Sequence, residues 1–151
     1  MFEALQDEEE PFKTMVYVSF YTGARRGEVL GLGWQDIDFD NNIMHIIQNK
    51  IIKQNGTKLK ETKNKRTRQF VIPQVLVDKL KEIYNNQPQS ELVFNYCPTT
   101  YTKMWRKFIK RHNLKPITLH DLRHTNGSIL ASKGVDIVTI ANRLGHLPAT
   151  A

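Results

Sequence analysis

A change of hydrophobic period partway along the chain, from helical to strand-like and back again, decides the class of fold open to it. Behind Pro11, a residue suited to a first helical turn, Phe12, Val16 and Phe20 recur at four-residue steps and mark one face of a helix. The acidic residues Glu8 to Glu10 then stand at the positive end of its dipole. Thr22-Gly23 interrupts this helix, and Arg25 to Leu32 reads as a second short one that turns Val29 and Leu30 inward and sets Arg25 beside Glu28. From Trp34 the period becomes two: Ile37 and Phe39, a turn at Asp40 to Asn42, then the isoleucine-rich run Ile43 to Ile52 predict a hairpin. Asn55-Gly56 marks another tight turn, and Gln69 to Ile72 supplies a further strand that Pro73 ends.

The helical period then returns. Leu76, Leu80 and Ile83 form a stripe within Val75 to Tyr84, and Trp105, Phe108 and Ile109 do so within Thr99 to Arg111. Leu92 to Phe94 reads as a short extended segment, Leu119 to Lys133 as a helix ended by Gly134, and Asp136 to Leu144 as the last. Helices set apart from one small antiparallel three-stranded sheet make an α+β, mainly helical domain. No repeat or low-complexity linker divides the 151 residues, so residues 1–151 are expected to form one domain around one core.

Composition narrows the partners. The chain carries 22 Lys plus Arg against 15 Asp plus Glu, a net charge of +7, which favours a polyanion such as nucleic acid without specifying a site. Its single cysteine, Cys97, excludes an internal disulfide and multi-cysteine metal sites and reads as an inert packing residue. The acidic amino-terminal segment lacks the pattern of a signal peptide, and no apolar run has the length to span a bilayer; a soluble, cytoplasmic protein with no membrane partner is expected.

The segment His120-Asp121-Leu122-Arg123 carries chemistry, because residues three apart on a helix share a face and can meet one ligand. A phosphodiester suits them: arginine offers a planar fork of donors to two non-bridging oxygens, and histidine can give or relay a proton near neutrality. Alone, this spacing is a weak signal and reads more readily as a capped helix with a surface arginine.

Four motifs in order extend it. Thr22-Gly23-Ala24-Arg25 runs through Glu28 to Leu32-Gly33-Trp34-Gln35-Asp36-Ile37-Asp38; a basic hairpin ends in R-x-x-x-I-P, Arg68 to Pro73; T-x-H-D-L-R-H-T spans Thr118 to Thr125; and L-G-H spans Leu144 to His146. With these the chain resembles the catalytic domain of the tyrosine recombinases, the phage integrase family, and the resemblance covers nearly the whole chain. It implies the DNA breaking-rejoining fold and site-specific DNA recombination or integration, in which strands are cut and rejoined without metal or other cofactor through a 3′-phosphotyrosyl link. It also implies that Arg25 and Arg123 bind the scissile phosphate, that Glu28 supports Arg25, that His120 helps proton transfer or positions the phosphate, and that His146 hydrogen-bonds the phosphate. Lys63 aligns best with the family's general-acid lysine, with Lys65 its competitor. Double-stranded DNA and, for the full-length protein, further recombinase protomers in a synaptic complex are the implied partners.

Of the basic run, Lys58, Lys60, Lys65, Arg66 and Arg68 are expected to touch backbone phosphates, although such runs also serve as plain solvated surfaces. Arg26 and His124 are expected to point away from the shared face, His45 and His112 to be ordinary surface or strand residues, and Trp34 and Trp105 to pack in the core. Tyr96 and Tyr101 are open to either packing or DNA contact. Relatives carry their nucleophilic tyrosine a short way beyond the late histidine, whereas here no tyrosine follows His146 before Ala151. The expectation is therefore a fragment that holds the phosphate, lacks both the nucleophile segment and the family's separate amino-terminal DNA-clamping domain, and is inactive alone. A non-catalytic DNA-binding regulatory module with the same fold is the alternative.

Overall fold

The computed structural model describes residues 2–53, 56–61, 68–86 and 90–124. Lys63, Lys65, Arg66 and His146 lie outside these residues, as do the helix expected over 136–144 and the part of the preceding helix beyond residue 124. In chain order the elements are α1 (Phe2–Leu5), α2 (Phe12–Thr22), α3 (Arg26–Leu30), a 3-10 turn (Trp34–Asp36), β1 (Ile37–Asp38), β2 (Ile43–Ile46), β3 (Gln48–Lys53), β4 (Gly56–Glu61), β5 (Arg68–Val71), α4 (Gln74–Asn86) and α5 (Pro98–Arg111). A further helical segment begins at residue 119 and is described to 124.

The α+β class holds, with one difference in the strands. The sheet β1-β2-β5 is three-stranded and antiparallel, with Met44 opposite Phe70 and Ile46 opposite Arg68, while β3 and β4 form a separate two-stranded ribbon. The single strand expected over Ile43 to Ile52 is thus broken at Ile47, which is exposed. Met44 and Ile46 turn into the core, but Gln48 leaves the alternation and its side chain donates to the Gly31 carbonyl at 2.8 Å, drawing β3 onto α3 instead. Isoleucine content signals extended backbone without saying which partner that backbone takes.

Two glycines make this approach possible. A Cβ on Gly27 would stand 2.6 Å from the Lys50 carbonyl oxygen and 2.0 Å from Asn49 Oδ1, and one on Gly31 would stand 2.8 Å from the Gln48 carbonyl oxygen. Gly27→Ala is accordingly expected to cost about 1–3 kcal/mol by overpacking, read as a lower denaturation midpoint.

The aromatic centre of the core lies between α2 and α5. Phe12 meets Tyr101 edge-on with centroids 6.3 Å apart and Phe108 at 5.5 Å, and Trp105 packs on Phe108 at 5.5 Å. Leu76, Leu80 and Ile83 of α4 are buried as their spacing predicts. Trp105 belongs to the core as expected and its indole donates to the Ile117 carbonyl at 2.8 Å; Trp34 is half-buried against Tyr84 and Phe39.

The acidic run before α2 has two tasks. Glu10 accepts the Thr14 N–H at 2.9 Å and its hydroxyl at 2.7 Å, capping the first turn. Glu8 instead reaches the end of α5, pairing with Arg111 and with His112 Nε2 at 3.1 Å, so His112 is a half-buried tie packed on Phe108 and no ordinary surface residue. Burial pushes the Glu8 carboxyl up, but hydrogen bonds from Arg111 and His112 outweigh it and hold the group below its usual range. Among the described residues no helix is long and apolar enough to cross a membrane.

Candidate active site

Two local devices, far apart in sequence, present the candidate residues. At the first, Thr22 Oγ1 donates to the Val18 carbonyl at 2.7 Å and accepts the Ala24 N–H at 3.1 Å. Gly23, at φ 66°, then turns left-handed and donates to the Ser19 carbonyl. The turn delivers Arg25, in extended conformation, to the position before α3, where Glu28 Oε1 accepts its backbone N–H at 2.9 Å. The main chain of Arg25 is therefore fixed while its side chain is exposed.

At the second, Thr118 and Asp121 form a reciprocal cap. The Thr118 N–H donates to Asp121 Oδ2 at 2.7 Å, and the Asp121 N–H donates to Thr118 Oγ1 at 3.0 Å. The Thr118 N–H, and then its hydroxyl, also hold the Asp121 carboxyl below its usual range. With Leu122 anchored in the core, the cap turns exposed His120 and buried Arg123 toward the first device.

The two devices meet at a cavity of about 240 Å³ lined by Arg25, Arg26, His120 and Arg123, with Ser19 and Tyr101 among its other walls. Arg123 is 3% exposed, and burial, then the nearby Arg25 charge, pull its pKa down to about 10 against the upward influence of Glu28, with Arg68 adding to the fall. It keeps its charge throughout the neutral range. Among the described residues one buried carboxylate, Glu28, thus sits with three guanidiniums, and their excess positive charge suits an anion.

Several expectations are corrected here. Arg68 does not stand on the exposed basic surface: it is 7% exposed and paired with Glu28 Oε2, its guanidinium 5.9 Å from the Phe70 ring centre. The register explains this, since Arg68, Phe70 and Ile72 alternate inward together while Gln69 and Val71 face out. That alternation was available in the sequence and would have found it. Arg26 lines the cavity and donates to Thr102 Oγ1 at 2.6 Å, and His124 shares the face of His120, their Nε2 atoms 3.0 Å apart. Residues four apart on a helix are neighbours, which places His124 beside His120. Lys58 and Lys60 are exposed on β4, and His45 is half-buried on β2.

Of the open tyrosines, Tyr101 is fully buried. Ser19 gives its one hydroxyl hydrogen to the Met15 carbonyl, so Tyr101 donates to Ser19 Oγ at 2.6 Å, and burial pushes the phenol's pKa up, far from a nucleophilic phenolate. Cys97 is not the inert packing residue expected. It sits immediately before α5, where the Thr100 N–H and hydroxyl, and then Thr99, stabilise the thiolate and bring its pKa down to about 7. Alkylation of Cys97 by iodoacetamide should therefore rise through a midpoint near pH 7; a midpoint at the ordinary thiol value would contradict it.

The model of the phage integrase family matches residues 1–149. The chain is 31% identical over 154 residues to the ICEBs1 integrase of Bacillus subtilis, covering 89% of this chain and 41% of the relative. It is 30% identical over 165 residues to a XerC-like tyrosine recombinase of Caldanaerobacter subterraneus, covering 89% of this chain and 42% of the relative. The chain thus spans about two fifths of the length of these relatives. Among solved structures, the fold is similar to the Tn1549 transposon integrase in complex with circular intermediate DNA, with TM-score 0.85 and 18% identity over 97% of this chain and 56% of that one. The match over residues 1–149 shows that the chain belongs to the phage integrase family.

Proposed function

We propose that this chain is the phosphate-gripping part of a site-specific DNA recombinase that cuts and rejoins strands through a 3′-phosphotyrosyl intermediate. The observation that carries the reading is that Arg25, His120 and Arg123, from two ends of the sequence, line one cavity. A tetrahedral phosphate in that cavity would receive guanidinium donors from Arg25 and Arg123, which offset charge growing on its non-bridging oxygens. His120, on the wall of the same cavity, would donate to the phosphate or pass a proton. Lys63, with Lys65 as its competitor, is the candidate to protonate the departing 5′-oxygen, and His146 is a further phosphate donor; both assignments rest on the motifs. Lys58 and Lys60, exposed on β4, would add salt-sensitive contacts to backbone phosphates together with Arg66. Arg68, turned inward, is withdrawn from that set.

Tyr101, the one tyrosine among the described residues that line the cavity, is buried and bonded to Ser19 and is not the attacking phenolate in this reading. Other protomers in a synaptic complex and a cytoplasmic site of action belong to the same reading of the full-length protein.

The test uses the full-length protein and duplexes selected by it from a random pool. A protein–DNA adduct that survives denaturing electrophoresis, forms in EDTA and is removed by protease is the expected result. Tight, salt-sensitive binding with no adduct under any condition would overturn the recombinase reading and leave a regulatory DNA-binding module.

A further inference from the structure

We propose that Arg68 is a positioning residue that occupies Glu28 and so keeps this buried carboxylate off Arg25 and Arg123, the two guanidiniums that line the cavity. The inference rests on reading that cavity as a phosphate site.

A carboxylate and a phosphodiester offer a guanidinium the same thing, two oxygens at matching separation, so an acid beside a phosphate site competes with its ligand. Glu28 is such an acid: it is 6% exposed and is the one acidic side chain among the buried polar residues described. Its oxygens are divided, with Oε1 taking the Arg25 backbone N–H at 2.9 Å and Oε2 taking Arg68 Nη2. The first bond shapes the turn and leaves the Arg25 guanidinium outside it. The second supplies the counter-charge from a strand on the other side of the site, 40 residues along the chain.

Without Arg68, a buried carboxylate oxygen would have lost its cation, a costly state that the protein relieves by rearrangement. The cations at hand are those of the cavity. Arg25 belongs to the residue whose N–H already holds Glu28, and the charge of Glu28 already bears on Arg123. Capture of either would remove phosphate donors without unfolding anything. The sheet prevents it: pairing of Ile46 with Arg68 sets the arginine on the inward face, and Phe70 lies against its guanidinium.

The decisive experiment is a pair of variants in the full-length protein, Arg68→Met and Glu28→Gln/Arg68→Met, assayed for single-turnover DNA cleavage, DNA affinity against salt, and melting. If Arg68 guards the site, Arg68→Met lowers cleavage by about 10²-fold, the scale of losing one preorganised donor. The double variant, in which no carboxylate remains to intrude, should recover at least about tenfold of that loss; a neutral pair of similar volume is tolerated in place of a buried ion pair. A merely structural brace would not behave so, because removing the second partner would leave activity as low as, or lower than, in Arg68→Met; that result overturns the proposal. Wild-type cleavage by Arg68→Met overturns it too. Equal loss of affinity and salt dependence in both variants would make Arg68 a DNA contact and also overturn it. Should Arg68→Met fail to fold, cleavage by the double variant alone decides: a rate within about tenfold of wild type supports the guard, and a larger loss in a folded protein opposes it. Failure of the unmodified protein to cleave at all counts against the phosphate reading and is distinct from these outcomes.

Discussion

Arg25→Ala in the full-length protein should lower strand cleavage by about 10²- to 10³-fold, the range seen when one preorganised donor to a developing charge is removed. The fold should survive. The hydrogen bond that Arg25 contributes to the start of α3 comes from its backbone N–H to Glu28, which alanine retains, and its side chain is exposed. Replacing exposed side chains of this kind moves stability by no more than about 0.5 kcal/mol. Arg25→Lys separates charge from shape: it keeps the cation, loses the planar fork and should fall between alanine and wild type. Rapid-quench cleavage beside thermal melting makes the measurement. Cleavage at the wild-type rate by Arg25→Ala would remove this arginine from the chemistry.

The second large effect is on stability. Trp105→Ala should cost about 3–5 kcal/mol, the usual range for deleting a fully buried aromatic ring. Trp105 is 1% exposed, packs on Phe108, and its indole holds the Ile117 carbonyl one residue before the Thr118–Asp121 cap. Trp105→Phe keeps most of the apolar volume and removes the donor, so the expected cost of its lost hydrogen bond is about 1 kcal/mol beyond the volume change. Denaturant midpoints compare the two. A loss no greater than 1 kcal/mol for Trp105→Ala would mean that α5 does not brace the segment leading to His120.

The residues that the sequence made legible are those whose signal is local. The stripe of α4 and the aromatic face of α5 follow from spacing alone, and so does the Gly23 turn that ends α2. The meeting of Arg25 with His120 and Arg123 was legible only because four motifs occur in order; helical spacing by itself joins His120 to Arg123 and says nothing of Arg25. What escaped depends on pairing across the chain. The break at Ile47 is set by where Gln48 finds a partner, and the inward turn of Arg68 by its place opposite Ile46. Charge misled at Arg68, since a cation within a basic run reads as solvated until the alternation with Phe70 and Ile72 is given more weight. For Arg26 and His124 the error was one of geometry: the cavity wall is wide enough to take in Arg26 beside Arg25, and His124, four residues on from His120, stands next to it on the same helical face.

The bare glycine face of α3 has a mechanical consequence. With Gly27 and Gly31 laid against β3, the helix adds no side chain of its own between itself and the ribbon, and a push on the ribbon is passed directly to the turn that bears Arg25. Stiffness at that joint is secured by missing atoms.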